Sequence, residues 1–218
     1  MTKNSDPAGC LLSLPPPRMA PEIHPDADHV LLWDIRQFPR LAPLVPALPA
    51  DLQAGAQAFA DRFRDSIAPS LAPLPTQVVH ADFNPHNLLT DLKDPTRITG
   101  ILDFGDMVRT PRICDLAVAA SYLVNPQDPL SLLVPLVTAY HARLPLLREE
   151  IALLPDLITA RMLITLTISS WRAARHPENA DYIQRNAASA RAGLKVFRSG
   201  DPARLATALL SACERPNP

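Results

Sequence analysis

Three side chains near the middle of the chain have the types and spacing for phosphoryl chemistry. His80-Ala-Asp82-Phe-Asn-Pro-His-Asn87 has an H-x-D-x-x-x-x-N spacing, and Asp103-Phe104-Gly105 follows it after a short polar interruption. Asn87 opens one apolar triplet, Leu88-Leu89-Thr90, and Asp103 closes a second run over residues 97–102. The stretch 91–96 between them, Asp-Leu-Lys-Asp-Pro-Thr, has turn composition. If the two runs pair as an antiparallel hairpin, Asn87 and Asp103 emerge at the same open end. An amide oxygen and a carboxylate are hard donors, suited to Mg²⁺, which takes few protein ligands and fills its octahedron with waters and substrate phosphates. Asp82, five residues earlier, can then face that centre and accept the proton of an attacking hydroxyl as general base. With average residue usage, the six named residues in this order arise by chance in roughly one chain of this size in 10⁵.

Positioning these groups requires a β-hairpin and something to hold it. Residues 77–80 have strand composition, and residues 110 onward read as helical. Thr110-Pro111, Asp128-Pro129 and Asp201-Pro202 each place a capping side chain before a proline suited to a first helical turn. Further helices are expected near 147–154, 156–175 and 179–199, the last ending at Gly200. Residues 113–124 are apolar on nearly every side and should form a buried helix. Upstream, helical periodicity covers 27–37 and 51–67, with prolines 43, 46 and 49 separating the two, and residues 1–26, with Pro15-Pro16-Pro17, read as a disordered or linker-like tail. The expected fold is mainly α with a small β-hairpin, an α+β chain with one unit over 27–213, its catalytic and metal loops within 78–109 and a helical bundle over 110–213.

Bulk properties narrow the partners. The chain has 218 residues, 47% hydrophobic and 20% charged, with a net charge of −1. That provides no broad basic field, so neither nucleic acid nor an anionic membrane is favoured over a small-molecule substrate. Cys10, Cys114 and Cys213 are odd in number and share no CxxC spacing, which argues against a disulfide framework and a zinc site and fits reduced thiols in a cytoplasmic protein. No apolar run is read as long enough to span a bilayer, and the N-terminus lacks a signal-peptide core.

Val78-Val-His-Ala-Asp-Phe-Asn-Pro-His-Asn-Leu-Leu and Ile98-Thr-Gly-Ile-Leu-Asp-Phe-Gly-Asp-Met are similar to the catalytic and metal-loop segments of the aminoglycoside phosphotransferase and choline kinase group, small-molecule kinases that share the protein-kinase fold. Within that group, Leu32-Trp33-Asp34, Asp103-Phe-Gly-Asp-Met and Asp115-Leu-Ala-Val-Ala-Ala look most like hydroxylysine kinases and the related kinase domains fused to class III aminotransferases. The resemblance implies a kinase-like C-terminal lobe, with Asp82 as catalytic base and Asn87 and Asp103 as metal ligands. It also implies ATP or GTP as co-substrate with Mg²⁺, and a small hydroxylated amine or amino acid as acceptor. Asp115 would brace the catalytic loop from below. Ala81 stands where the group has glycine. The group's N-terminal β lobe supplies a lysine and a covering loop for the nucleotide phosphates. Here the six glycines form no G-x-G, and the lysines are Lys3, Lys93 and Lys195. The expectation is therefore a truncated lobe lacking its N-terminal partner, with weak turnover or a non-catalytic role, unless a separate or fused partner completes it.

Other polar residues are weighed against structural roles. His80 reads as a hydrogen-bonded structural histidine. His86, with His80, Asp82 and Asp103, would make a metallohydrolase set, but the hairpin explains the same residues without extra ligands. Asp106 could touch the metal or the acceptor, or cap a turn. Trp171, Arg161, Arg172 and Arg175 fall on one helix, where an acceptor pocket could be lined; Trp171 in the core with the arginines on a solvated face is the favoured reading.

Overall fold

The computed structural model describes residues 25–215. The expected tail therefore lies outside the described residues, apart from its last two positions, as do Lys3 and Cys10. The chain is mainly helical with two small antiparallel sheets. In chain order, α1 (Ala50–Arg62) runs through a π-helical turn (Phe63–Ile67) into α2 (Ala68–Leu71). Four strands follow: β1 (Thr76–Val79), β2 (Leu88–Thr90), β3 (Ile98–Ile101) and β4 (Val108–Pro111). The rest is α3 (Ile113–Ser121), α4 (Leu130–Arg143), α5 (Arg148–Arg175), α6 (Ala180–Ile183), α7 (Ala187–Ser199) and α8 (Pro202–Cys213).

The upstream helix expected over 27–37 is instead a 3-10 turn at Pro25–Asp28 and a 3-10 helix at Ile35–Ala47. Pro39, Pro43 and Pro46 lie inside that helix rather than interrupting it. Ile35, Phe38 and Leu41 are buried, three residues apart. A helix of three residues per turn stacks that spacing on one edge, whereas an α-helix would rotate it away. Asp34 caps the segment, accepting from Arg36 N–H at 3.1 Å, and is itself buried, with Thr110 Oγ1 donating to it at 2.8 Å.

The β2–β3 hairpin forms where the sequence places it, pairing Leu88 with Ile101 and Leu89 with Gly100. A second pairing was not anticipated: β1 runs antiparallel to β4, from Thr76 opposite Pro111 to Val79 opposite Val108. Thr110-Pro111 thus closes a strand instead of capping a helix, and Arg112 precedes α3 without a side-chain cap. Asp201 caps α8 as expected, accepting from Ala203 N–H at 2.9 Å.

Helix α3 is buried on every side except at Asp115, as its apolar sequence requires. Helix α5 is one continuous 28-residue element, not two helices broken at Pro155. Proline within a helix costs about 3 kcal/mol. The fully buried Leu154, Leu157 and Ile158 around it are each worth roughly 1.5–3 kcal/mol, so packing carries the helix through. Undivided, α5 is long and apolar enough by composition to cross a membrane, but 83% of its most apolar window is buried inside this chain. It is the central beam, with α3, the 3-10 helix, α7 and α8 packed around it. On α7, a Cβ at Gly193 would come 2.6 Å from Met162 Sδ, so the absent side chain permits the close approach to α5. The helix expected over 179–199 breaks between α6 and α7. At the start of α5, buried Glu150 accepts from both Arg112 Nε (2.8 Å) and Nη2 (2.7 Å) and from Leu147 N–H (2.8 Å), tying the end of β4 to the core helix. Cys114 and Cys213 are free thiols, and burial pushes the Cys114 thiol up.

Candidate active site

The site is a loop spanning the β1–β4 pair and the β2–β3 hairpin, closed against one face of α5. His80, just past β1, fixes the two halves to each other. Its Nε2–H donates to the Leu102 carbonyl at 2.9 Å, which leaves Nδ1 to accept from Asp82 N–H at 3.3 Å. The ring is buried and packs against Phe104 with centroids 5.1 Å apart. Both ring nitrogens are thus engaged within the loop. Ala81 follows with φ of 62°, in the left-handed region, and its N–H donates to Asp115 Oδ1 at 2.9 Å. The carboxylate at the start of α3 therefore holds the strained residue from below, and burial raises its pKa above the ordinary carboxylate value.

That turn delivers Asp82 to the floor of a cleft of about 190 Å³. Arg161 Nη2 donates to Asp82 Oδ1 at 2.8 Å, while Asn84 Nδ2 and Asn87 Nδ2 each donate to Oδ2 at 3.0 Å. The same two amides also reach the Asp82 carbonyl, at 3.1 and 2.9 Å. Of the roughly four lone-pair sites on a carboxylate, three are occupied, and the fourth sits on Oδ1. Because the Asn87 amide nitrogen is committed to Asp82, its oxygen is the atom left to meet a cation.

Leu102 N–H donates to the Asn87 carbonyl at 2.8 Å, extending the β2–β3 ladder by one step. Asn87 and Asp103 thus emerge at the same end of the hairpin. Asp103 has φ of 62° and ψ of 68° and leads into a 3-10 turn over Phe104–Asp106. Among the described residues the two non-glycine positions with positive φ are Ala81 and Asp103, and both belong to this loop. Asp106 is half-buried; burial first, then the charges of Asp82 and Asp103, raise its pKa. The clustered negative charge and hard oxygen donors suit a divalent cation such as Mg²⁺, which Asn87 Oδ1 and the Asp103 carboxylate would hold. No three His, Cys, Asp or Glu side chains form a metal cluster among the described residues, and His86 is exposed, which removes support from the metallohydrolase set.

Two residues behave differently from the sequence expectation. Arg161 is 1% exposed rather than solvated. Besides holding Asp82, it donates from Nη1 to the Trp33 carbonyl at 3.0 Å, and its guanidinium lies 5.1 Å from the Trp33 ring centroid. Trp171 is half-buried, stacked by Arg175 at 4.7 Å, and does not line the cleft. The aromatic walls are Trp33, Tyr122 and Tyr182, which sequence reasoning passed over. Arg172, Arg185 and Asn84 also line the cleft. A single charge inside the apolar run around Met162-Leu163-Ile164 was the available sign that Arg161 is buried.

The sequence profile of the phosphotransferase enzyme family matches residues 13–154. Hydroxylysine kinase of Danio rerio is 34% identical over 107 residues, covering 48% of this chain and 30% of that protein. The hydroxylysine kinases of Mus musculus, 27% identical over 111 residues, and Xenopus laevis, 29% over 112, are covered to the same extent. The matched stretch is therefore under a third of the length of these curated relatives. With the family profile covering more than half of the chain, this protein belongs to the phosphotransferase enzyme family.

Proposed function

We propose that the chain provides the kinase-like C-terminal lobe of an enzyme that transfers the γ-phosphate of ATP or GTP to a hydroxyl of a small amine or amino acid, a hydroxylysine-like acceptor being the leading candidate. The observation that carries this reading is the Asp82 carboxylate, oriented on the cleft floor by Arg161, Asn84 and Asn87 with one lone pair free on Oδ1. An acceptor hydroxyl placed there donates its proton to Asp82 as its oxygen bonds to the γ-phosphorus and the bond to the leaving nucleoside diphosphate breaks. When bound, Mg²⁺ neutralises charge on the phosphoryl group. Asn87 and Asp103 would hold that cation, while His80 and Asp115 keep the loop in the geometry that aims Asp82. Asp106 borders both acceptor and cation. In kinases of this type an N-terminal lobe supplies the grip on the α- and β-phosphates, and a further lobe, fused or separate, would supply it here.

Calorimetric titration with MgATP, using Asp103→Ala as control, together with a coupled assay against hydroxylysine and related amino alcohols, tests this reading. We expect weak, Mg²⁺-dependent nucleotide binding that Asp103→Ala abolishes, and slow transfer that Asp82→Asn removes. Nucleotide binding indifferent to both Mg²⁺ and Asp103 would refute the site assignment.

A further inference from the structure

The cleft is chemically lopsided. Arg161, Thr165, Ile168, Ser169 and Arg172 line it from α5 at spacings that share one helical face. Arg161 is taken by Asp82. Arg172, eleven residues on and about 16 Å along the axis, is exposed and has no carboxylate partner among the described residues. Arg185 also lines the cleft, its guanidinium 4.2 Å from the Tyr182 ring centroid and one Nη1–H donating to the Tyr182 carbonyl at 3.4 Å, likewise without a carboxylate. Stacking on Tyr182 fixes the plane of that guanidinium, leaving an edge of N–H donors for a planar anion. With Asp82 neutralised by Arg161, Asp106 is the one acid of the cleft without a cationic partner, against two such arginines.

From this arrangement, and resting on the transferase reading above, we propose that Arg172 and Arg185 bind the carboxylate of the acceptor, and so make the enzyme selective for a hydroxy amino acid over a polyamine sugar or a simple amino alcohol. Arg161 and Arg172 share one face of α5, so Asp82, held by Arg161, and Arg172 border the same cleft wall. The acceptor then lies along α5, its hydroxyl at Asp82 Oδ1 and its carboxylate at the arginine pair, with a short aliphatic spacer over Ile168. A polycationic aminoglycoside would meet two unneutralised guanidiniums instead.

Trp33 in the cleft wall supplies a fluorescence signal that does not need turnover. The full chain would be titrated with L-hydroxylysine, with its decarboxylated diamine, with kanamycin and with MgATP, and the Arg172→Gln/Arg185→Gln variant likewise, circular dichroism confirming its fold. Loss of a charge-assisted carboxylate contact corresponds to roughly 10- to 100-fold in affinity. The expected result is that hydroxylysine binds the unaltered chain at least 10-fold tighter than the diamine or kanamycin, and that the double variant loses this preference without weakening the diamine. The proposal is overturned if hydroxylysine and diamine bind equally, if neither binds, if the variant weakens both alike, or if the variant instead loses MgATP, which would assign the arginines to nucleotide phosphate. Retained carboxylate preference with MgATP binding indifferent to both Mg²⁺ and Asp103→Ala would refute the kinase reading alone.

Discussion

Arg161 and Asp82, 79 positions apart in sequence, form a hydrogen-bonded ion pair at 2.8 Å in which the arginine side chain is 2% exposed and the carboxylate 24%. The asymmetry predicts unequal effects. Asp82→Ala strands a sealed guanidinium and should cost about 3 kcal/mol, the lower range for breaking a buried pair. Arg161→Met leaves a carboxylate with water access and two amide donors, and should cost about 1 kcal/mol. Urea denaturation distinguishes them; the reverse order would mean that the guanidinium finds another partner. On the proposed reading of Asp82 as general base, Asp82→Asn should lower kcat by roughly 10²–10⁴-fold.

Ala81 sits at a φ of 62°, where an L side chain is strained by roughly 1–2 kcal/mol. Glycine removes the strain, loses a methyl from a small apolar cluster and gains entropy when unfolded. The balance favours Ala81→Gly by about 0.5 kcal/mol, a rise of one or two degrees in Tm for a chain of this size. Scanning calorimetry checks it, and a fall in Tm would show that the methyl contact outweighs the strain.

The Asp106 carboxyl is held above its ordinary value, so the folded state binds the proton more tightly than the unfolded chain does. Its contribution is fully present below the unfolded value of 3.8 and is lost as pH rises through the raised folded value. Asp106→Asn should therefore be more stable than the parent at pH 7, with the difference vanishing near pH 3. Adding Mg²⁺ should narrow the gap by relieving repulsion in the parent. Melting temperatures across pH, with and without Mg²⁺, give the comparison; a parent more stable than the variant at pH 7 without cation would contradict it.

Glu150 is 0% exposed and receives three hydrogen bonds, two from Arg112. Glu150→Ala should cost about 3–5 kcal/mol. Arg62, 45% exposed in its pair with Asp156, should lose less than about 1 kcal/mol on substitution by alanine. Equal losses in thermal melts would show that burial does not separate these bridges.

The parts of the site legible in the sequence were those written locally. His80, Asp82, Asn87 and Asp103 fall on one loop and one hairpin, whose turn chemistry fixes their order and their shared end. Arg161 and Trp33 were not legible because their placement depends on α5 meeting the loop across more than a hundred residues of chain. The β1–β4 pairing escaped because its second strand is four residues long and ends in Thr110-Pro111, a dipeptide with the chemistry of a helix start. Pro155 misled for a related reason. Local propensity forbids what the burial of its neighbours sustains.

Val79 opposite Val108 is the last rung of the β1–β4 ladder, and with Ala81 they form a small apolar cluster separate from the main core. His80, Asp82, Asn84, Asn87, Asp103 and Asp106 all lie between those two valines. The candidate-site residues of this segment thus form a cassette clasped at its neck by four rungs and tied to α5 and α3 through Arg161 and Asp115, and it should detach as one piece. Amide protons from 80 to 107 would then exchange with a common opening energy, lower than that of α5, and weakening the clasp would unfasten these six side chains at once while the bundle stood intact.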